Sequence, residues 1–188
     1  MKNTKVRLHC ESAILLALAI VLSFVKIWNM PMGGSITLLS MLPIMLVAIK
    51  NGTLWGTCTA FMFSMFQLAQ AIVEANVFPY CKTLGIVILC VALDYLVPFT
   101  VLGLCAVGKK FGDIAIYGGI ASVCILRFLC HFTTGVVIWG QWAGDMSKVM
   151  YSLLYNGQYM LPEMLLTLVA AIILLSAKPI RKLLNLTK

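Results

Sequence analysis

Four residues spaced by four, Arg127, His131, Gly135 and Trp139, form the pattern in this sequence that is richest in chemistry. At about 100° per residue, each step of four drifts only about 40° around a helix, so all four share one broad face. That face offers a fixed charge, an imidazole that donates or accepts, a gap for close approach, and a flat ring. Asp94 and Tyr95 stand just before Pro98 in another apolar run, and Tyr151-Ser-Leu-Leu-Tyr-Asn156-Gly157 supplies two phenols and an amide. One carboxylate among aromatic rings suits a small, flat, cationic or polar heterocycle, stacked on the Trp and charge-balanced by Asp94. An anionic ligand would want more Arg or Lys.

The same residues admit two other uses. In one, Asp94 pairs with Arg127 and joins two helices, leaving His131 as a satisfied core residue. In the other, Asp94 and His131 work as acid and base in an intramembrane enzyme. No Ser or Cys nucleophile stands beside them in a recognisable setting, and the paired Glu or His motifs of intramembrane metalloenzymes are absent. The stretch Gly103-Leu-Cys-Ala-Val-Gly-Lys-Lys110 imitates a phosphate-binding loop, but it closes an apolar helix and has Lys where Ser or Thr should hold magnesium. Seven cysteines show no CxxC pairing and read as reduced, small hydrophobes. Neither catalytic residues nor a metal site nor a cofactor is expected.

The elements that must carry these residues are membrane helices. Of 188 residues, 62% are hydrophobic and 11% charged, where soluble domains carry about 25% charged residues. Two stretches, Ile27 to Ile49 and Asn51 to Val73, have no charge at all, and each exceeds the ~20 residues that span a bilayer core. The net charge of +8 is scattered between apolar runs, which argues against nucleic-acid binding. Gly/Pro punctuation and apolar windows predict an all-α bundle of six transmembrane helices in one domain, residues 1 to 188. The helices fall at about 10 to 28, 36 to 50, 53 to 75, 83 to 108, 114 to 142 and 150 to 177.

With six spans both termini share one side. That side holds ten Lys and Arg, from Lys2, Lys5 and Arg7 through Lys50, Lys109 and Lys110 to Lys178, Arg181, Lys182 and Lys188, against Lys26, Lys82 and Lys148 opposite. The termini are therefore expected to be cytoplasmic. The outward connections, Trp28 to Ser35, Glu74 to Tyr80 and Gln141 to Lys148, are rich in aromatic and bend-forming residues and face an incoming ligand. Ala13 and Ala17 make a small-xxx-small pattern on the first helix, a face that another helix can approach closely.

Leu93-Asp-Tyr-Leu96, the segment Leu126 to Trp139, and Tyr151-Ser-Leu-Leu-Tyr-Asn-Gly157 resemble the thiamine-specific substrate-binding component of energy-coupling factor vitamin transporters. The resemblance covers nearly the whole chain. It implies a six-helix subunit of a bacterial cell membrane that captures thiamine from outside and docks on a transmembrane coupling protein carrying two ATP-binding subunits. It further implies that His131, Gly135 and Trp139 line the pocket, with Trp139 on the thiazolium ring, that Tyr151 and Asn156 are polar contacts, and that Tyr95 is a neighbouring wall. Asp94 stands where some relatives have Glu, and Trp28 is a possible lid over the site. The Ala13 and Ala17 face is where docking would occur. Two alternatives stay open: a substrate-binding component for a different small vitamin, and the enzyme using Asp94 and His131.

Overall fold

The computed structural model describes residues 4 to 30, 33 to 75 and 77 to 186. Lys2 and Lys188 of the charge count, and Pro31, Met32 and Asn76 of the outward connections, lie outside the described residues.

Five helices are long and apolar enough to cross a membrane. They are α1 (Thr4–Phe24), α3 (Thr53–Glu74), α4 (Leu84–Phe111), α5 (Asp113–Val137) and α6 (Lys148–Ser176), with a short α7 (Lys178–Leu183) at the end. Glycines at positive φ break the chain where turns must be tight: Gly52 (+91°) before α3 and Gly112 (+100°) before α5. Side chains cap the starts of α4 and α6, where Thr83 accepts from Ile86 N and Ser147 from Met150 N.

The stretch Ile27 to Ile49 does not form a continuous span. Strands β1 (Lys26–Asn29) and β2 (Ser35–Thr37) pair antiparallel as a hairpin, and only Leu42–Asn51 is helical, as α2. Ten helical residues reach about 15 Å, half the hydrocarbon thickness of about 30 Å. β2 and the turn after it lead into α2. Thr37 hydrogen-bonds Glu163, midway along α6, and α2 ends beside α1, where Lys50 pairs with Glu11. The first helix accordingly stops at Phe24, four residues short of the expected end. The fifth stops at Val137, and Trp139–Trp142 continues as a 3-10 turn.

Burial explains why so short a helix holds its place. Seven of the ten α2 residues are buried, among them Ile44, Met45, Val47 and Ile49 at full burial. Ile44, Met45 and Ile49 join Phe63, Leu102, Ile116, Ile120 and Leu175 in one core. Phe63 meets Phe99 edge-on at 5.6 Å and 84°, a geometry worth about 0.5–1.5 kcal/mol beyond its area. Gly103, from the stretch that imitates a phosphate loop, lies inside α4. A side chain there would strike the backbone of Gly56 and Thr57, so the glycine serves helix packing. The outer surface is apolar, with Ile14, Leu54, Val73, Leu84, Ile114 and Ile173 all more than half exposed, as in a multi-pass membrane protein.

Candidate functional site

A cleft of about 120 Å³ opens at the hairpin end between β2, α3, α4, α5 and α6. Its floor is organised by Asp94. Pro98 cannot donate to the Asp94 carbonyl, and its ring crowds that oxygen. The chain relieves this by widening Val91–Leu96 into a π-helical segment, a distortion common where a helix must re-aim a functional side chain. The re-aimed carboxylate is 8% exposed. Its Oδ1 accepts from the Thr134 hydroxyl and lies 3.0 Å from His131 Nδ1. Its Oδ2 accepts from Trp139 Nε1 at 3.2 Å and from the Cys90 thiol at 3.5 Å. The other ring nitrogen of His131, Nε2, is buried without a protein partner among the described residues.

One wall is built from α6. Tyr151 stacks on Tyr155 (5.9 Å, 25°), and Tyr155 meets Tyr159 edge-on (6.1 Å, 76°). The Tyr159 hydroxyl donates to Asn156 Oδ1 at 2.9 Å, while Asn156 Nδ2 donates to the His131 carbonyl at 3.2 Å and the Ser152 carbonyl at 3.0 Å. Asn156 thereby fixes α6 against α5. That contact depends on Gly135, because a Cβ there would come within 2.8 Å of Ser152 Cβ and 2.9 Å of Asn156 Nδ2. Trp139, also in the lining, stacks on Trp142 (5.7 Å, 29°), with Tyr80 edge-on to both. Phe78 stacks on Tyr95 at 5.8 Å.

Deeper in, Arg127 does not pair with Asp94. Its Nη1 donates to Glu163 Oε2 at 2.6 Å, and its guanidinium lies 5.0 Å over the Phe99 ring. Glu163 Oε1 accepts from Thr37 Oγ1 at 2.7 Å and from Thr37 N at 3.3 Å. Arg127 and His131 stand one turn apart on the same face, so each finds its own carboxylate on a different helix. At the mouth, Lys26 Nζ reaches both Glu74 oxygens at 2.9 Å, which joins the hairpin to the end of α3.

Asp94, Tyr95, His131, Gly135, Trp139, Tyr151 and Asn156 all line this one cleft. Trp28 is not in the lining: the residue sits on β1, 61% exposed, and Lys26, Gly33, Gly34, Ser35 and Thr37 form the hairpin's part of it. Ala13 and Ala17 lie on the exposed side of α1, away from the cleft. Among the lining residues that sequence reasoning gave no binding role are Thr134, Tyr159 and Thr37, whereas Glu163 carries a signal as an ionisable group within an apolar span. Tyr159 continues the four-residue spacing of Tyr151 and Tyr155, and Thr134 lies one turn beyond His131, so both carried a signal. Thr37 carried none, because its place depends on the hairpin.

Three comparisons bear on this arrangement. The sequence profile of the family described as thiamine transporter protein (Thia_YuaJ) matches residues 9 to 183. The thiamine transporter ThiT of Bacillus subtilis (strain 168) is 28% identical over 184 residues, covering 90% of each chain. The solved structure of ThiT from Listeria monocytogenes superposes with a TM-score of 0.75 at 21% identity, covering 97% of this chain and 99% of that one, so the fold is shared. Matched along almost its entire length, the chain belongs to the thiamine transporter protein family, a family of transporters and not of enzymes.

Proposed function

We propose that the chain binds thiamine in the Asp94 cleft, as the substrate-binding component of an energy-coupling factor importer, with the whole chain acting as one domain. The observation that carries this is the charge arrangement of the cleft. Lys26 faces Glu74 and Arg127 faces Glu163, whereas no lysine or arginine among the described residues meets Asp94. Thiamine brings a permanent thiazolium cation and an aminopyrimidine. A carboxylate with no lysine or arginine partner, beside the face of Trp139 and a row of phenols, offers both a counter-charge and stacking surface. Water displaced from the cleft would leave these polar contacts in a dry site, where each weighs heavily in specificity.

Thiamine titration of the detergent-purified chain, followed by tryptophan fluorescence, tests the reading. Stoichiometric quenching is expected at micromolar thiamine, and Trp139→Ala should lose it. A folded chain with no response would remove thiamine and turn attention to other vitamins. Thiamine recovered chemically altered would instead support acid and base roles for Asp94 and His131.

The hairpin end is read as the outer face and the termini as cytoplasmic, by the ten-to-three excess of Lys and Arg at the termini end. The chain then crosses the bilayer six times, the second crossing being β2 followed by α2. A coupling protein with two ATP-binding subunits supplies the energy, and it docks on α1 through Ala13 and Ala17, whose small side chains admit a close helix. Replacing both with Leu should abolish uptake by the assembled transporter and leave thiamine affinity unchanged. Loss of binding in the isolated variant would end that division of labour.

A further inference from the structure

At the end of the bundle that carries both termini, a second cleft of about 720 Å³ opens between the start of α1, the end of α2 and α7. Its charged lining is Lys5, Arg7, Lys50 and Lys182 against one carboxylate, Glu11. Glu11 is already shared, with Arg7 Nε on Oε1 at 2.8 Å and Lys50 Nζ on Oε2 at 2.7 Å. Lys5 and Lys182 are exposed, and four cations against one anion leave a surplus of three positive charges. Arg181 on the same helix adds nothing to it, because its guanidinium grips Asp113 through two contacts at 2.8 and 3.2 Å. The rest of the lining is apolar or amide: Leu8, Pro179, Leu183, Asn51 and Asn185.

The position of the cleft gives this mixture a meaning. It sits where the apolar surfaces of α1 and α6 end, the level at which a bilayer's phosphates are expected around helices of this length. A soluble anion would use the charges, screened by salt, and would leave the leucines and the proline idle. A molecule carrying a phosphate on alkyl chains uses both, with the lysine stems packing along its apolar part. We propose that this cleft holds the headgroup of an anionic phospholipid, its phosphate among Lys5, Lys50 and Lys182, tying α7 to the start of α1.

Native mass spectrometry of the detergent-purified full chain, offered phosphatidylglycerol and phosphatidylcholine in equal amounts, tests this. Phosphatidylglycerol should be retained roughly tenfold or more over phosphatidylcholine, and K5E/K182E should erase the preference. Helix content and melting temperature check that the variant folds, and K5Q/K182Q replaces it if charge reversal prevents folding. Equal retention of the two lipids by the unaltered chain overturns the proposal. Displacement of the lipid by millimolar inorganic phosphate does so too, since the site would then serve soluble anions. A variant that keeps its lipid preference but fails to support uptake in the assembled transporter also overturns it, by making the cleft a protein-docking face.

Discussion

Asp94→Asn should lower thiamine affinity by about two to three orders of magnitude while the protein remains folded. Truncating one partner of a buried charge pair costs about 2–5 kcal/mol in binding, and each 1.4 kcal/mol is tenfold. Asn keeps the size and one acceptor oxygen. It removes the negative charge and turns an NH2 group toward either His131 and Thr134 or Trp139, all of which now donate to or face Asp94. The variant therefore loses the counter-charge for the thiazolium and either the hydrogen bond that holds the Trp139 ring or the contacts to His131 and Thr134.

Isothermal titration calorimetry with two ligands separates these effects. Against thiamine the full loss is expected. Against a neutral analogue of the same shape, only the part due to Trp139 and His131 should remain, a factor of ten or so by the ~1 kcal/mol net worth of a hydrogen bond. Asp94→Glu keeps the charge one methylene farther out and should bind thiamine far better than the Asn variant. An unchanged affinity in Asp94→Asn would place the counter-charge elsewhere, with Glu74 and Glu163 the next carboxylates to test.

The stripe from Arg127 to Trp139 was legible because helical periodicity maps four-residue spacing onto one face. It survives even the end of α5 at Val137, since the 3-10 turn keeps Trp139 on the side that faces Asp94. The long helices were legible from charge-free length alone. The hairpin was not: Trp28 to Ser35 reads as a connection between helices placed at about 10 to 28 and 36 to 50, and nothing in it marks paired strands. Its strands are only four and three residues long, too short for alternation to register. The partner of Arg127 was also hidden. Two carboxylates, Asp94 and Glu163, lay on other helices, and choosing between them requires the rotation and depth of each helix, which tertiary packing sets. Asp94 is taken by His131 and Thr134, so the arginine one turn deeper meets Glu163.

That deeper pair should dominate stability. The Arg127 and Glu163 side chains are 8% and 2% exposed, and removing one partner of a buried pair costs about 3–5 kcal/mol because the other charge is stranded. The two losses should differ. In Arg127→Met, Glu163 keeps its contacts to Thr37. In Glu163→Met, the guanidinium cannot discharge, and Thr37 N and Oγ1 lose their acceptor as well. Glu163→Met should therefore be the more damaging, with a melting temperature in detergent lower by about 6–20 °C, at roughly 2–4 °C per kcal/mol for a chain of this size. The double variant R127M/E163M should recover much of that loss, since neither charge is left alone. Because Glu163 also anchors the base of β2, protease cleavage in the hairpin should rise in Glu163→Met and not in Arg127→Met. Equal, small shifts in both single variants, or no recovery in the double, would mean that the pair is solvated and that the hairpin is held by the Lys26 to Glu74 contact at the mouth instead.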